Sequence, residues 1–127
     1  MTKKKIICID GDGSLLMHLG SLTSLASLNP KNFYHILLNN EVHESVGGQE
    51  TAAKYLDLSN IIKSFCPSEI FKAETREDLL FTMQKFINTI GPSFLEVKIM
   101  PGSRENLGRP KLKPINNKEK FMDHLMK

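Results

Sequence analysis

The sequence predicts an α/β fold of three layers around a mostly parallel sheet, and three observations carry that expectation. The runs Ile6-Ile7-Cys8-Ile9 and Ile36-Leu37-Leu38 do not alternate with polar residues, which is the pattern of strands buried on both faces of a parallel sheet. Segments with helical spacing of apolar residues lie between such runs, so strand and helix alternate along the chain. The first run ends in Asp10-Gly11-Asp12-Gly13-Ser14, and the carboxyl ends of strands are where open α/β sheets bind ligands.

In chain order, Lys5 to Ile9 is the first strand. Ser14 reads as the N-cap of a helix reaching about Leu28, with Leu15, Leu19, Leu22 and Ala26 along one face and Asn29-Pro30 as its stop. Phe33 to Leu38 is the second strand, closed by Asn39-Asn40, and Thr51 to Tyr55 and Leu58 to Phe65 read as short helices. Glu69 to Ala73 is the third strand. Thr75-Arg76-Glu77-Asp78 opens a helix in capping-box fashion, followed by Leu79, Met83, Phe86 and Ile90 at helical spacing. Phe94 to Ile99 is the fourth strand, ended by Pro101-Gly102. Residues 100–116 carry three prolines and no periodicity, and read as an arm. A last helix from Asn117 to Met126 has Phe121, Met122 and Leu125 as its apolar side.

Composition narrows the class. The 127 residues make one domain of ordinary globular material, 40% apolar and 24% charged. No apolar run approaches the roughly 18 residues of a membrane span. Lys3-Lys4-Lys5 precedes only Ile6 to Ile9 before Asp10 and Asp12 intervene, too short for a secretory signal. Cys8 and Cys66 have no C-x-x-C partner, which argues against a disulfide framework or a zinc site and for a reduced, cytoplasmic setting. The net charge of +3 comes from lysines spread along the chain, with no tryptophan and no aromatics interleaved among basic residues, so nucleic acid is not the expected partner. His18 and His35, inside a helix and a strand, read as surface or packing residues, and Cys8 as a small core residue.

Two readings compete for Asp10-Gly11-Asp12-Gly13-Ser14. A phosphatase of the haloacid dehalogenase type opens on an apolar strand and Asp-x-Asp-Gly-Ser, with Asp10 as nucleophile and Asp12 as acid/base. That chemistry also needs a Ser or Thr ending the second strand and a later acidic pair, whereas Asn39-Asn40 stand there and Asp57, Asp78 and Asp123 are each isolated. The second reading uses both strand ends. Gly11-Asp12-Gly13, twenty-five residues from Ser14 to Leu38, and then Asn39-Asn40 resemble the signature of thiamine-diphosphate enzymes. The glycines let backbone approach a diphosphate, and a helix N-terminus favours its charge. Mg²⁺ takes near-octahedral oxygen ligands with few carboxylates and shares the ligand's phosphates. The resemblance implies Asp12, the Asn40 side chain and the Val42 carbonyl as metal ligands, and Gly11, Asp12, Gly13, Ser14, Asn40, Val42, His43 and Ser45 as cofactor-binding residues.

Two longer strings narrow the family. Asn39-Asn40-Glu41-Val42-His43-Glu44-Ser45-Val46-Gly47-Gly48-Gln49 resembles the metal loop of phosphonopyruvate decarboxylases and of the related sulfopyruvate decarboxylases. Pro101 to Pro110, with Asn117-Lys118 and Phe121-Met122 after it, is closer to the phosphonopyruvate branch. The resemblance implies a decarboxylation of 3-phosphonopyruvate to phosphonoacetaldehyde and CO₂ in phosphonate biosynthesis, with the hard chemistry supplied by the cofactor. It implies His43 and Glu44 as residues facing the reaction, and Arg104 and Arg109 as guanidinium partners of the phosphonate. Gly47-Gly48 either brings backbone close to the site or serves as a hinge.

The same resemblance implies that this is the C-terminal, diphosphate-binding part of such an enzyme, N-terminally truncated. Residues 1–100 are expected to form a partial cofactor-binding domain, and residues 101–127 its C-terminal arm and helix. A pyrimidine-binding domain is then expected from another chain or a missing N-terminal region, in a homo- or hetero-oligomer, and the chain alone is expected to be inactive. The alternatives are a sulfopyruvate decarboxylase beta-type subunit and a degenerate, non-catalytic thiamine-diphosphate-binding domain.

Overall fold

A computed structural model of the chain describes residues 2–65 and 69–127. Cys66, the second cysteine of the sequence reading, lies outside the described residues. By its contacts the chain divides into two compact units, Lys5–Pro101 and Gly102–Lys127 with the N-terminal residues up to Lys4.

The strands in chain order are β1 (Ile6–Gly11), β2 (Phe33–Asn39), β3 (Val42–His43), β4 (Gln49–Glu50), β5 (Ile70–Ala73) and β6 (Ser93–Lys98). The larger unit is built on a four-stranded, all-parallel sheet of order β1-β2-β6-β5. Helices α1 (Asp12–Met17), α2 (Ser21–Leu28) and α3 (Leu58–Phe65) lie on one face, and α4 (Arg76–Asn88) lies on the other. Strand alternation makes the three layers visible: Leu37 and Phe94 pack with Leu15, Leu22, Leu58 and Ile62, while Tyr34 and Leu95 pack with Phe86. Phe86 is fully buried, a contribution of about 1.5–3 kcal/mol from one side chain. Thr75 starts α4 with a complete capping box, its hydroxyl accepting from Asp78 N–H at 3.0 Å and the Asp78 carboxylate accepting from Thr75 N–H at 3.1 Å.

Several expectations are corrected. The helix read from Ser14 to Leu28 is two helices, and the first begins at Asp12 with Gly11 as its cap. Residues His18 to Gly20 break it, and the Ser21 N–H turns back to His18 O at 2.9 Å. Gly20 is the poorest helix former in the segment, so the break falls there. The short helix read over Thr51 to Tyr55 is a 3₁₀ turn over Ala52–Tyr55, with Thr51 at its N-cap and the Thr51 hydroxyl bonded to Asp12 instead of capping it. Ile90 lies beyond the end of α4 and is 77% exposed rather than part of its apolar face. The apolar run of β1 is not buried on both faces, since Ile7 is 47% and Ile9 66% exposed. β1 is an edge strand, and the described helices leave its α4-side face uncovered.

In the smaller unit, α5 runs over Pro114–Met126, starting three residues earlier than its periodicity suggested. Pro114 opens it, where the missing N–H costs nothing. On its apolar side Phe121 and Met122 are exposed and Leu125 is half-buried. Among the described residues no helix is long and apolar enough to cross a membrane.

Candidate functional site

Parallel pairing in register, Ile6 opposite Phe33 through Gly11 opposite Leu38, brings the ends of β1 and β2 out at the same edge of the sheet. Asp12 therefore emerges beside Asn40 although twenty-five residues, Ser14 to Leu38, lie between Gly13 and Asn39. Asp12 is 1% exposed, and its Oδ2 accepts a hydrogen bond from the Thr51 hydroxyl. Thr51 is equally enclosed, and its N–H donates to Glu41 O at 2.8 Å, so the loop leaving β2 returns to the start of α1.

Glu41 takes a left-handed φ of 63°, and Asn40 Oδ1 accepts from Val42 N–H at 3.2 Å in an Asx-type turn. β3 (Val42–His43) and β4 (Gln49–Glu50) then pair antiparallel. A 3₁₀ turn over Glu44–Val46 follows β3, and Gly47 and Gly48, with φ of 108° and 77°, close the hairpin. Gly48 N–H donates to His43 O at 3.0 Å, so the glycine pair supplies conformations a hairpin closure needs. The His43 ring lies over Gly13, where a β-carbon would fall 2.5 Å from it. At Gly11 a β-carbon would meet nothing within 4 Å, so the backbone there faces open space.

Nine of the sequence-predicted site residues are brought together. Gly11, Asp12, Gly13, Ser14, Asn40, Val42, His43, Glu44 and Ser45 line one open cavity of about 270 Å³, joined by Leu38 and Ile99. Arg104 and Arg109 are exposed residues of the other unit. Thr51 is the residue that sequence reasoning missed. It read as the start of a short helix, and nothing local marks a threonine thirty-nine residues downstream as the partner of Asp12.

Asp10, the nucleophile of the phosphatase reading, is not part of this lining. Its Oδ1 accepts from Gly11 N–H at 3.0 Å, and its Oδ2 stands 3.8 Å from His35 Nε2. His35 is buried beside the Phe94 ring, and burial holds its pKa below the ordinary histidine value, with the Asp10 carboxylate opposing. Burial, and then Asp10, push the half-buried Cys8 thiol up, which makes it a poor nucleophile.

The donor set fits a magnesium-bound diphosphate. Among the described residues no three His, Cys, Asp or Glu side chains gather as a metal cluster. Asp12 brings a carboxylate and Asn40 an amide oxygen to the cavity, hard oxygen donors of the kind Mg²⁺ takes together with oxygens of its ligand. The open backbone at Gly11 leaves room for a phosphate to approach.

The family profile described as the thiamine pyrophosphate enzyme, C-terminal TPP binding domain, matches residues 1–97. The chain is 35% identical over 120 residues to a phosphonopyruvate decarboxylase of Streptomyces viridochromogenes, covering 94% of this chain and 30% of that protein. It is 32% identical over 124 residues to the sulfopyruvate decarboxylase subunit beta of Methanococcus maripaludis, covering 98% of this chain and 66% of that protein. The beta subunit of Methanocaldococcus jannaschii is 32% identical over 120 residues, with 94% and 63% covered. The chain thus spans less than a third of the matched phosphonopyruvate decarboxylase and just under two thirds of the matched beta subunits.

Proposed function

We propose, from the premise that this chain belongs to the thiamine pyrophosphate enzymes through their C-terminal TPP-binding domain, that it is the magnesium–diphosphate-binding portion of a 2-oxo acid decarboxylase. The observation that carries the reading is the convergence of Asp12 and Asn40, from two parallel strand ends, on one cavity with open backbone at Gly11. Likeness to phosphonopyruvate decarboxylase supports 3-phosphonopyruvate as substrate, with phosphonoacetaldehyde and CO₂ as products in phosphonate biosynthesis. A cytoplasmic setting suits this chemistry.

In this reading Asp12, Asn40 and the Val42 carbonyl hold Mg²⁺, and Gly11, Gly13 and Ser14 offer backbone and hydroxyl donors to the diphosphate. The bound thiazolium supplies the electron sink that decarboxylation needs. His43, over Gly13, and Glu44 beside it line the cavity, where they orient substrate or move a proton. Ser45 bonds the cofactor. Residues 101–127, which carry Arg104 and Arg109, act as the arm and helix of the same domain as residues 1–100. A pyrimidine-binding domain comes from another polypeptide or from further sequence, within an oligomer. The sulfopyruvate alternative is favoured by one observation: the matched beta subunits are separate chains, of which this one spans about two thirds.

The test is calorimetry with thiamine diphosphate and Mg²⁺ on the wild type and on Asp12→Ala, followed by turnover of 3-phosphonopyruvate and sulfopyruvate with a pyrimidine-binding partner supplied. Mg²⁺-dependent binding abolished by Asp12→Ala supports the site, and turnover with the partner, absent without it, supports the enzyme. Binding without turnover of either substrate points to a degenerate domain. Absence of Mg²⁺-dependent binding with partner present overturns the cofactor reading.

A further inference from the structure

Asn40 leaves the sheet in a loop, yet the residue before it is locked inside. Asn39 is 1% exposed, and its Nδ2 donates to Glu96 Oε1 at 2.7 Å. The other Glu96 oxygen accepts from Ser59 Oγ at 2.6 Å. Glu96 is 7% exposed on β6, and Ser59 is buried on α3. A polar chain therefore ties the end of β2 to the neighbouring strand and to the helix layer, on the face otherwise packed by Leu37, Phe94 and Leu58. Asn39 O also accepts from Ile99 N–H at 3.0 Å, while Asn39 Oδ1 has no hydrogen-bond partner among the described residues. The side chain is held by its bond to Glu96.

β6 grips the other neighbour of Asn40 as well. Lys98, two residues beyond Glu96 and paired in register with Asn39, forms an ion pair with Glu41. That pair is partly exposed and is the weaker of the two holds. Burying a carboxylate is costly, and an apolar residue of similar volume would fill the same place without that desolvation. What the apolar residue lacks is direction. Ser59 on one oxygen and Asn39 on the other orient the Glu96 carboxylate, and the single bond from Asn39 Nδ2 to it aims the Asn39 amide and with it the peptide that follows.

We infer that Glu96 and Asn39 are positioning residues: β6, through Glu96 on Asn39 and Lys98 on Glu41, clamps both neighbours of Asn40 and so sets where the Asn40 side chain is presented. The clamp itself is independent of any ligand. Its consequence for magnesium rests on the proposed role of Asn40, and partners that orient metal ligands are typically worth about 10- to 100-fold in affinity.

The test compares wild type with Glu96→Ala, Glu96→Gln and Ser59→Ala. In the ligand-free chain, amide hydrogen exchange is followed at Val42, which donates to Asn40, and at Ile99, which donates to Asn39, against Phe86 across the sheet. Glu96→Ala is expected to speed exchange at Val42 and Ile99 by about tenfold or more relative to Phe86, since it orphans the buried Asn39 amide. Glu96→Gln is expected to restore slow exchange, because its carboxamide still accepts from Asn39 and can donate to Ser59. Mg²⁺ titration with thiamine diphosphate present should follow the same order. If Glu96→Ala does not fold, Ser59→Ala, which removes only the outer bond, decides by the same comparison. Unchanged exchange at Val42 and Ile99, or equal acceleration at Phe86, overturns the clamp. A wild type that binds no Mg²⁺ with the cofactor sinks the proposed function instead, and the exchange comparison still judges the clamp.

Discussion

Gly13 lies directly beneath the imidazole of His43: a β-carbon at residue 13 would stand 2.5 Å from both Cε1 and Nδ1 of that ring, and 3.4 Å from the Thr51 methyl. The requirement for glycine here comes from the chain's own side chain, not from backbone strain, since Gly13 is an ordinary residue of α1. At Gly11, among the described residues, a β-carbon would meet nothing within 4 Å, so the two glycines of the motif stand in different surroundings.

Gly13→Ala therefore separates fold from site. The His43 ring can swing away on its own rotatable bonds, and alanine is the better helix former by roughly 0.5–1 kcal/mol. Thermal stability is expected to change by less than about 1 kcal/mol. The His43 Cε1–H resonance is expected to move, and Mg²⁺-dependent cofactor affinity to fall by about tenfold, the lower end of what disturbing a metal site's surroundings costs. An unmoved His43 resonance would contradict the close contact.

Thr51 carries the second prediction. Its hydroxyl is the donor that satisfies Oδ2 of the buried Asp12 carboxylate. Thr51→Val keeps the shape and removes the donor, leaving a carboxylate oxygen enclosed without its partner. The expected loss is about 1–3 kcal/mol in denaturant unfolding, because the stranded oxygen bears its full desolvation cost. Thr51→Ser is expected to recover most of it. Equal stability of the Val and Ser variants would show that the bond contributes nothing.

How much of this was legible follows from which interactions are local in sequence. The strand ends at Asp12 and Asn40 were readable because the residues that make the site also punctuate the strands. The Thr75 capping box was readable because both of its hydrogen bonds span three residues. The β3–β4 hairpin was not, since its strands are two residues each and its closure depends on φ values at Gly47 and Gly48 that the letters do not fix. Glu96 gave no signal either: its partners Asn39 and Ser59 lie fifty-seven and thirty-seven residues away and meet it only once the sheet order is known. β1 misled in the opposite sense. Its apolar run fits burial on both faces, but at the sheet edge one face stays open at Ile7 and Ile9.

The last prediction concerns acid. His35 lies on β2 against Phe94, with ring centroids 5.2 Å apart, and burial lowers its pKa while Asp10 acts in the opposite direction with less effect. In the unfolded chain His35 takes up a proton as pH falls through about 6.5. In the folded chain it stays neutral until a lower pH. Between those two values the unfolded state holds the extra proton, so stability rises with pH across the window and is lost on acidification. The His35 contribution is thus complete above about pH 6.5 and shrinks below it. Melting temperature is expected to fall between about pH 7.5 and about pH 5.5 in the wild type, and to fall less in His35→Gln, whose amide does not titrate. His18, His43 and His124 are common to both proteins, so the difference between the two curves isolates His35. Superimposable pH profiles would remove His35 from the acid response.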